Sequence, residues 1–79
     1  MKYVEILHMI ERIDALIQHH ATGTPAELCE RLKISKSTWH ELKKTMIDDL
    51  HFPIAYSKYR QTYYYTEDGR FEPGRFNPN

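Results

Sequence analysis

Pro53 divides this chain of 79 residues into two periodicities, and no other feature constrains its fold so strongly. Before it, apolar residues recur every three or four positions, the spacing of amphipathic helices; after it they alternate, the spacing of strands. Tyr3, Ile6, Leu7, Ile10, Ile13 and Ile17 fall on one side of a helical projection, with Glu5, Glu11, Arg12 and Gln18 mostly on the other. A first helix is predicted over about residues 2–19.

The next two helices announce themselves by their caps. "ATGT" breaks the first helix, with Gly23 suited to a helix-terminating turn, and Thr24-Pro25-Ala26-Glu27 reads as a capping box with proline at the first helical position. A short second helix follows, with Leu28, Cys29 and Leu32 facing inward. Ile34 follows a tight turn, and the Ser35 hydroxyl is placed to accept from backbone N–H groups two or three residues on, as the N-cap of a third helix. At about 100 degrees per residue, Trp39, Leu42, Met46 and Leu50 share one face of that helix, with Lys43 and Ile47 along its edge. The opposite face carries Ser37, His40, Glu41, Lys44 and Asp48, and Pro53 ends the helical stretch.

Beyond it, "PIAYSKYRQTYYYT" is rich in tyrosine, threonine and isoleucine and is split by a polar centre. That predicts a hairpin of about residues 54–57 with about 62–66, closed by a loop longer than two residues because its tip has no glycine. Alternation puts Tyr63 and Tyr65 on one face, covering the first or third helix, and Tyr64 outward. The whole is then mainly α, an α+β unit over residues 1–66. Residues 67–79, "EDGRFEPGRFNPN", read as an extended or disordered tail with two aromatic anchors, Phe71 and Phe76.

One cysteine excludes an intrachain disulfide, and nothing resembles paired zinc-ligand spacings, so stability has to come from packing. Cys29 is expected to act as a small apolar residue, and His19 and His20, about 100 degrees apart, to sit at a helix end rather than share a metal. Glu5, His8, Glu11, Arg12 and Asp14 interrupt the apolar residues of the N-terminus too often for a secretory signal or a membrane span. A cytoplasmic protein without membrane contact is expected. No nucleophile, base and orienting acid come together in the sequence, and no Gly-rich phosphate loop or carboxylate cluster does, so neither an enzyme nor a cofactor is expected.

Eleven basic residues balance eleven acidic ones, but unevenly along the chain. Residues 1–30 hold two basic and five acidic side chains; residues 31–60 hold seven basic and three acidic. The positive charge is concentrated in the third helix and the hairpin tip, a distribution that matters more for nucleic-acid binding than the sum.

Three helices followed by a two-stranded hairpin is the element order of a winged helix. On "TPAELCERLKISKSTWHELKK" and "FPIAYSKYRQTYYYT", the chain resembles the N-terminal winged helix-turn-helix domains of bacterial regulators of the DeoR and biotin-repressor type, over about residues 6–66. It departs from them in having His40 or Glu41 where an arginine is common, and in a wing without glycine. The resemblance implies sequence-specific binding of double-stranded DNA by a transcriptional regulator, with the third helix in the major groove. Implied contacts are Ser35, Lys36, Ser37, Thr38, His40, Glu41 and Lys44 on that helix and Lys58, Tyr59 and Arg60 on the wing. Lys36 and Lys44 would meet phosphate or guanine, and His40 and Glu41 base edges. Thr38 would meet a phosphate or complete the cap; the wing tip would meet phosphate or enter the minor groove. A homodimer or a partner protein would be engaged through the first helix or the tail. The alternative implied by the same fold is a protein-association module that does not bind DNA.

Overall fold

The computed structural model describes the backbone of residues 2–72 and 75–78 and the side chains of residues 2–69. Three helices, α1 (Tyr3–Gln18), α2 (Pro25–Leu32) and α3 (Lys36–Asp48), precede an antiparallel hairpin of β1 (Ile54–Ser57) and β2 (Thr62–Tyr65). This is the α+β arrangement that the two periodicities predict, three helices with a β-hairpin wing. Among the described residues no helix is long and apolar enough to cross a membrane.

α1 opens with the Glu5 carboxylate accepting from the Lys2 backbone N–H at 3.3 Å. Its apolar stripe buries Ile10, Ile13 and Ile17 completely, but Tyr3, on the same stripe by spacing, is 70 % exposed. Burial on α1 therefore starts at Ile6, and the first turn contributes little to the core. The helix ends at Gln18 with His19 as its C-cap, within a residue of the expected end, but the left-handed residue that closes it is His20 and not Gly23. His20 takes φ 53°, and its N–H and that of Ala21 bond to the carbonyls of Ile17 and Leu16. That is the two-bond closure of a left-handed helix end, here without the glycine that usually makes it. Gly23, at φ +72°, instead clears space for the next helix: a Cβ there would lie 3.0 Å from Glu27 Cβ.

Glu27 needs that space because its carboxylate folds back to accept from the Thr24 N–H (3.1 Å) while Thr24 Oγ1 accepts from the Glu27 N–H (3.2 Å). The backbone hydrogen bond from Thr24 holds the Glu27 carboxyl below the usual range. α2 buries Leu28, Cys29 and Leu32 and stops at Lys33, φ 57°. Ser35 caps α3 as its sequence predicts, accepting from the Thr38 N–H at 3.1 Å. α3 buries Trp39, Leu42 and Met46, whereas Leu50 lies past the helix end and is half-buried against the core. The chain leaves α3 before Pro53, at His51 with φ 61°, and the Phe52 N–H reaches back to the Met46 carbonyl at 2.8 Å. Pro53 serves the wing instead, its carbonyl accepting from the Thr66 N–H at 2.8 Å.

The wing register pairs Ile54 with Tyr65 and Ser57 with Thr62, leaving a four-residue tip at 58–61, longer than a two-residue turn as expected. Phe52 and Tyr63 complete the core with the side chains of all three helices. The Tyr65 hydroxyl donates to Asp14 Oδ1 at 2.7 Å, fastening β2 to α1. The segment read from sequence as an extended or disordered tail has backbone order: β3 (Gly69–Glu72) and β4 (Arg75–Pro78) form a second antiparallel pair with Phe71 opposite Phe76. The side chains of Phe71 and Phe76 lie outside the described residues. Gln18 Nε2 donates to the Gly69 carbonyl at 3.3 Å, so α1 touches the start of β3.

Candidate nucleic-acid interface

The rotational phase of α3 is fixed by what it buries. With Trp39, Leu42 and Met46 inward, the helical repeat turns Ser37, His40, Glu41, Lys44 and Asp48 outward, and each of them is exposed, as is Lys36. The start of this helix differs from those of α1 and α2. Both of those carry a glutamate in the first turn that satisfies a cap N–H, whereas α3 has no acidic residue in its first turn and begins on Lys36. Free N–H groups and the positive end of the helix dipole lie together there, and a lysine beside them is mildly unfavourable to the isolated helix. An anion at that end would be bound by both.

Of the two hydroxyls at the turn, Ser35 is engaged in the cap and also donates to Thr38 Oγ1 at 2.9 Å. Thr38 is half-buried beside Ile6 and Leu42, a geometry that matches completion of the cap rather than an outward contact.

An aromatic joint fixes the wing against α3. The Trp39 indole N–H donates to the Tyr63 hydroxyl at 3.1 Å, and the two rings meet edge to face, centroids 5.3 Å apart at 76°. Tyr56 packs on Tyr63 at 4.9 Å, and the Lys43 ammonium lies 5.8 Å from the Tyr63 ring centre. Lys43 is half-buried here, so its charge is spent on a ring face. Burial pushes the Tyr63 hydroxyl above its ordinary value, with the Trp39 hydrogen bond working partly against it. Tyr63 covers α3 and Tyr65 covers α1, as expected, but burial along β2 does not alternate, since Thr62 is buried next to Tyr63 and Tyr64 and Tyr65 are both half-buried. Tyr64, expected outward, is half-buried because it lines a pocket with His20 and Arg60.

A second clamp was not legible in the sequence. Thr22 is fully buried; its Oγ1 accepts from the Tyr63 N–H at 2.8 Å and lies 3.1 Å from Thr62 Oγ1, also buried. The loop between α1 and α2 thereby holds the root of β2, and the only local hint was a threonine beside Gly23. At the tip, Ser57 Oγ accepts from the Arg60 N–H at 3.1 Å and Gln61 adopts φ 53°, which closes the loop. Lys58 and Arg60 are exposed, and Tyr59 between them is 97 % exposed. Ten residues were nominated from sequence: nine stand on the surface of α3, its cap or the wing tip, and Thr38 alone turns partly inward. Among the described residues no three His, Cys, Asp or Glu side chains converge as a metal site would require. No protein-family model matches this chain, and no curated protein or solved structure matches it either.

Proposed function

We propose that this chain is a winged helix module that binds double-stranded DNA, in the manner of a cytoplasmic transcriptional regulator. One observation carries the reading: α3 turns a polar face to solvent from a helix start that holds a lysine and no carboxylate, and the wing fixed beside it ends in two cations around an exposed tyrosine. Laid in a major groove, α3 would set its first N–H groups and Lys36 against a phosphate and present His40 and Glu41 to base edges. Lys44 would meet backbone further along, and Lys58 and Arg60 would meet the flanking phosphates or narrow minor groove, with Tyr59 against sugar. Phosphate contacts of this kind set register and general affinity; His40 and Glu41 would carry the discrimination among sequences.

A single module of this size covers a short site, so useful specificity calls for a second copy or a partner. Tyr3 and Val4, 70 % and 58 % exposed at the start of α1, favour a protein contact there. The same observation supports the second reading, a winged helix that associates only with protein. Selection of bound duplexes from a random pool at fixed salt, with a Lys36→Glu/Lys44→Glu variant in parallel, separates the two. Enrichment of a common sequence by the parent and none by the variant is the expected result; no enrichment by the parent sinks the DNA reading.

A further inference from the structure

Between the end of α1 and the tip end of the wing lies a concave pocket of about 300 Å³, lined by His20, Ser57, Arg60, Thr62 and Tyr64. Its volume is at the small end of the range for ligand sites. We propose that this pocket seats a phosphate ester, the backbone phosphate and sugar of bound duplex DNA, and that His20 is a DNA-contacting residue; the proposal rests on the DNA-binding reading above.

The chemistry of the lining selects the ligand. No carboxylate lines the pocket, and four side chains can donate into it: the His20 ring, the Arg60 guanidinium and the hydroxyls of Ser57 and Tyr64. Ser57 Oγ already accepts from the Arg60 N–H, which leaves its proton to give away. Thr62 is different, since its Oγ1 donates to the Tyr63 carbonyl and lies against Thr22, so it has no proton left for the pocket. With the Arg60 guanidinium among its donors and no carboxylate in its lining, the pocket suits an anion, and the Tyr64 ring and the Arg60 stem suit the apolar faces of a sugar. On its other side His20 borders a second cavity that also holds Glu67 and Asp68, where an anion would be repelled. The Arg60 side is therefore the one a phosphate would enter.

The backbone explains why His20 is well placed. Its left-handed conformation is pinned by the two hydrogen bonds that close α1, so the ring is carried on a rigid corner although it is exposed. The same conformation supplies a decisive variant. Glycine suits φ 53° better than histidine does, so His20→Gly should raise the melting temperature while it deletes the ring. A residue that served only the fold could not produce a gain in stability together with a loss of binding.

The test is titration of a mixed-sequence duplex about two helical turns long, at about 50 mM salt, with the parent, His20→Gly and Tyr64→Phe, alongside a deoxynucleoside monophosphate as competitor. His20→Gly should melt higher than the parent yet bind all duplexes about tenfold or more weakly, the scale of one lost hydrogen bond to an anion, and Tyr64→Phe should weaken binding in the same direction. Parent binding that neither substitution alters would overturn the seat and leave the DNA reading standing. No binding by the parent would remove the DNA reading and this seat with it. A monophosphate that binds more tightly than the duplex would make the pocket a free-nucleotide site and overturn the backbone assignment.

Discussion

Replacing Tyr63 by phenylalanine removes one oxygen from the joint between α3 and the wing and leaves the rest of that joint in place. The side chain is 3 % exposed, and its hydroxyl is the acceptor for the Trp39 indole N–H at 3.1 Å. The edge-to-face contact with Trp39, the tilted contact with Tyr56 and the Lys43 ammonium all engage the ring, which phenylalanine keeps. What is lost is the partner of a buried donor. An orphaned buried N–H costs about 1–3 kcal/mol. In a domain of this size each kcal/mol moves the melting midpoint by about 4–8 °C, so Tyr63→Phe should melt roughly 5–20 °C below the parent. Trp39→Phe orphans the hydroxyl instead, and the double variant orphans neither group. The double variant should therefore be less destabilised than the sum of the singles by about 1 kcal/mol or more. Thermal and urea denaturation of the four proteins, followed by circular dichroism, measure the melting midpoints and every corner of the cycle. Additive losses, or a Tyr63→Phe midpoint within about two degrees of the parent, would show that this hydrogen bond holds nothing and that the wing is positioned by packing alone.

Three further outcomes follow from features described above. Glycine at Lys33 or His51, both left-handed, should each stabilise the chain by about 0.5–1 kcal/mol in thermal melts, whereas Gly23→Ala should destabilise it by more than about 1 kcal/mol because its Cβ meets Glu27. The Tyr63 and Tyr65 hydroxyls are held above the ordinary tyrosine value, by burial in both and by the Asp14 hydrogen bond and charge at Tyr65. Stability from these protonated groups is complete below about pH 10 and lost above it, by up to about 1.4 kcal/mol per pH unit for each; Tyr65→Phe should flatten the fall seen in denaturation curves between about pH 9 and pH 11. If Lys36, Lys44, Lys58 and Arg60 each neutralise one phosphate, log affinity for duplex should fall against log salt with a slope near −3.6 per protomer, and Lys58→Ala/Arg60→Ala should make it shallower by about 1.8. Titrations at several salt concentrations read both slopes; a slope that ignores the double substitution would take the wing out of the interface.

The parts of the fold that were legible in the sequence are those encoded within a few residues. Thr24, Pro25 and Glu27 specify a helix start by spacing alone, Ser35 does so by its hydroxyl, and Trp39, Leu42 and Met46 fix the phase of α3, from which the outward face follows. Contacts between distant positions left no such trace. Thr22 and Thr62 are forty residues apart and become a buried pair only after the wing folds back on the first loop. The end of α1 was legible to within a residue, but the residues that close the helices were not: glycine is the usual left-handed residue, whereas His20, Lys33 and His51 take that role, and α3 ends well before Pro53. Phe52 escaped notice because it belongs to neither periodicity, although it is among the most buried side chains. His20 looked like a helix-end residue from sequence, which it is; only the folded wing brings Arg60 and Tyr64 beside it.

The single tryptophan of the chain sits where α3 meets the wing, hydrogen-bonded to one of two tyrosines whose rings are in contact. The protein thus carries its own optical reporter at the one joint whose geometry governs how the two elements are presented. Excitation of the neighbouring tyrosines should pass to the indole while the wing is seated, and a red shift with loss of that transfer would mark its departure. Helical ellipticity follows the three helices and not this joint. Recording both signals in one denaturation would reveal whether the wing detaches ahead of the helices or only with them, without a dye, a label or any change to the chain.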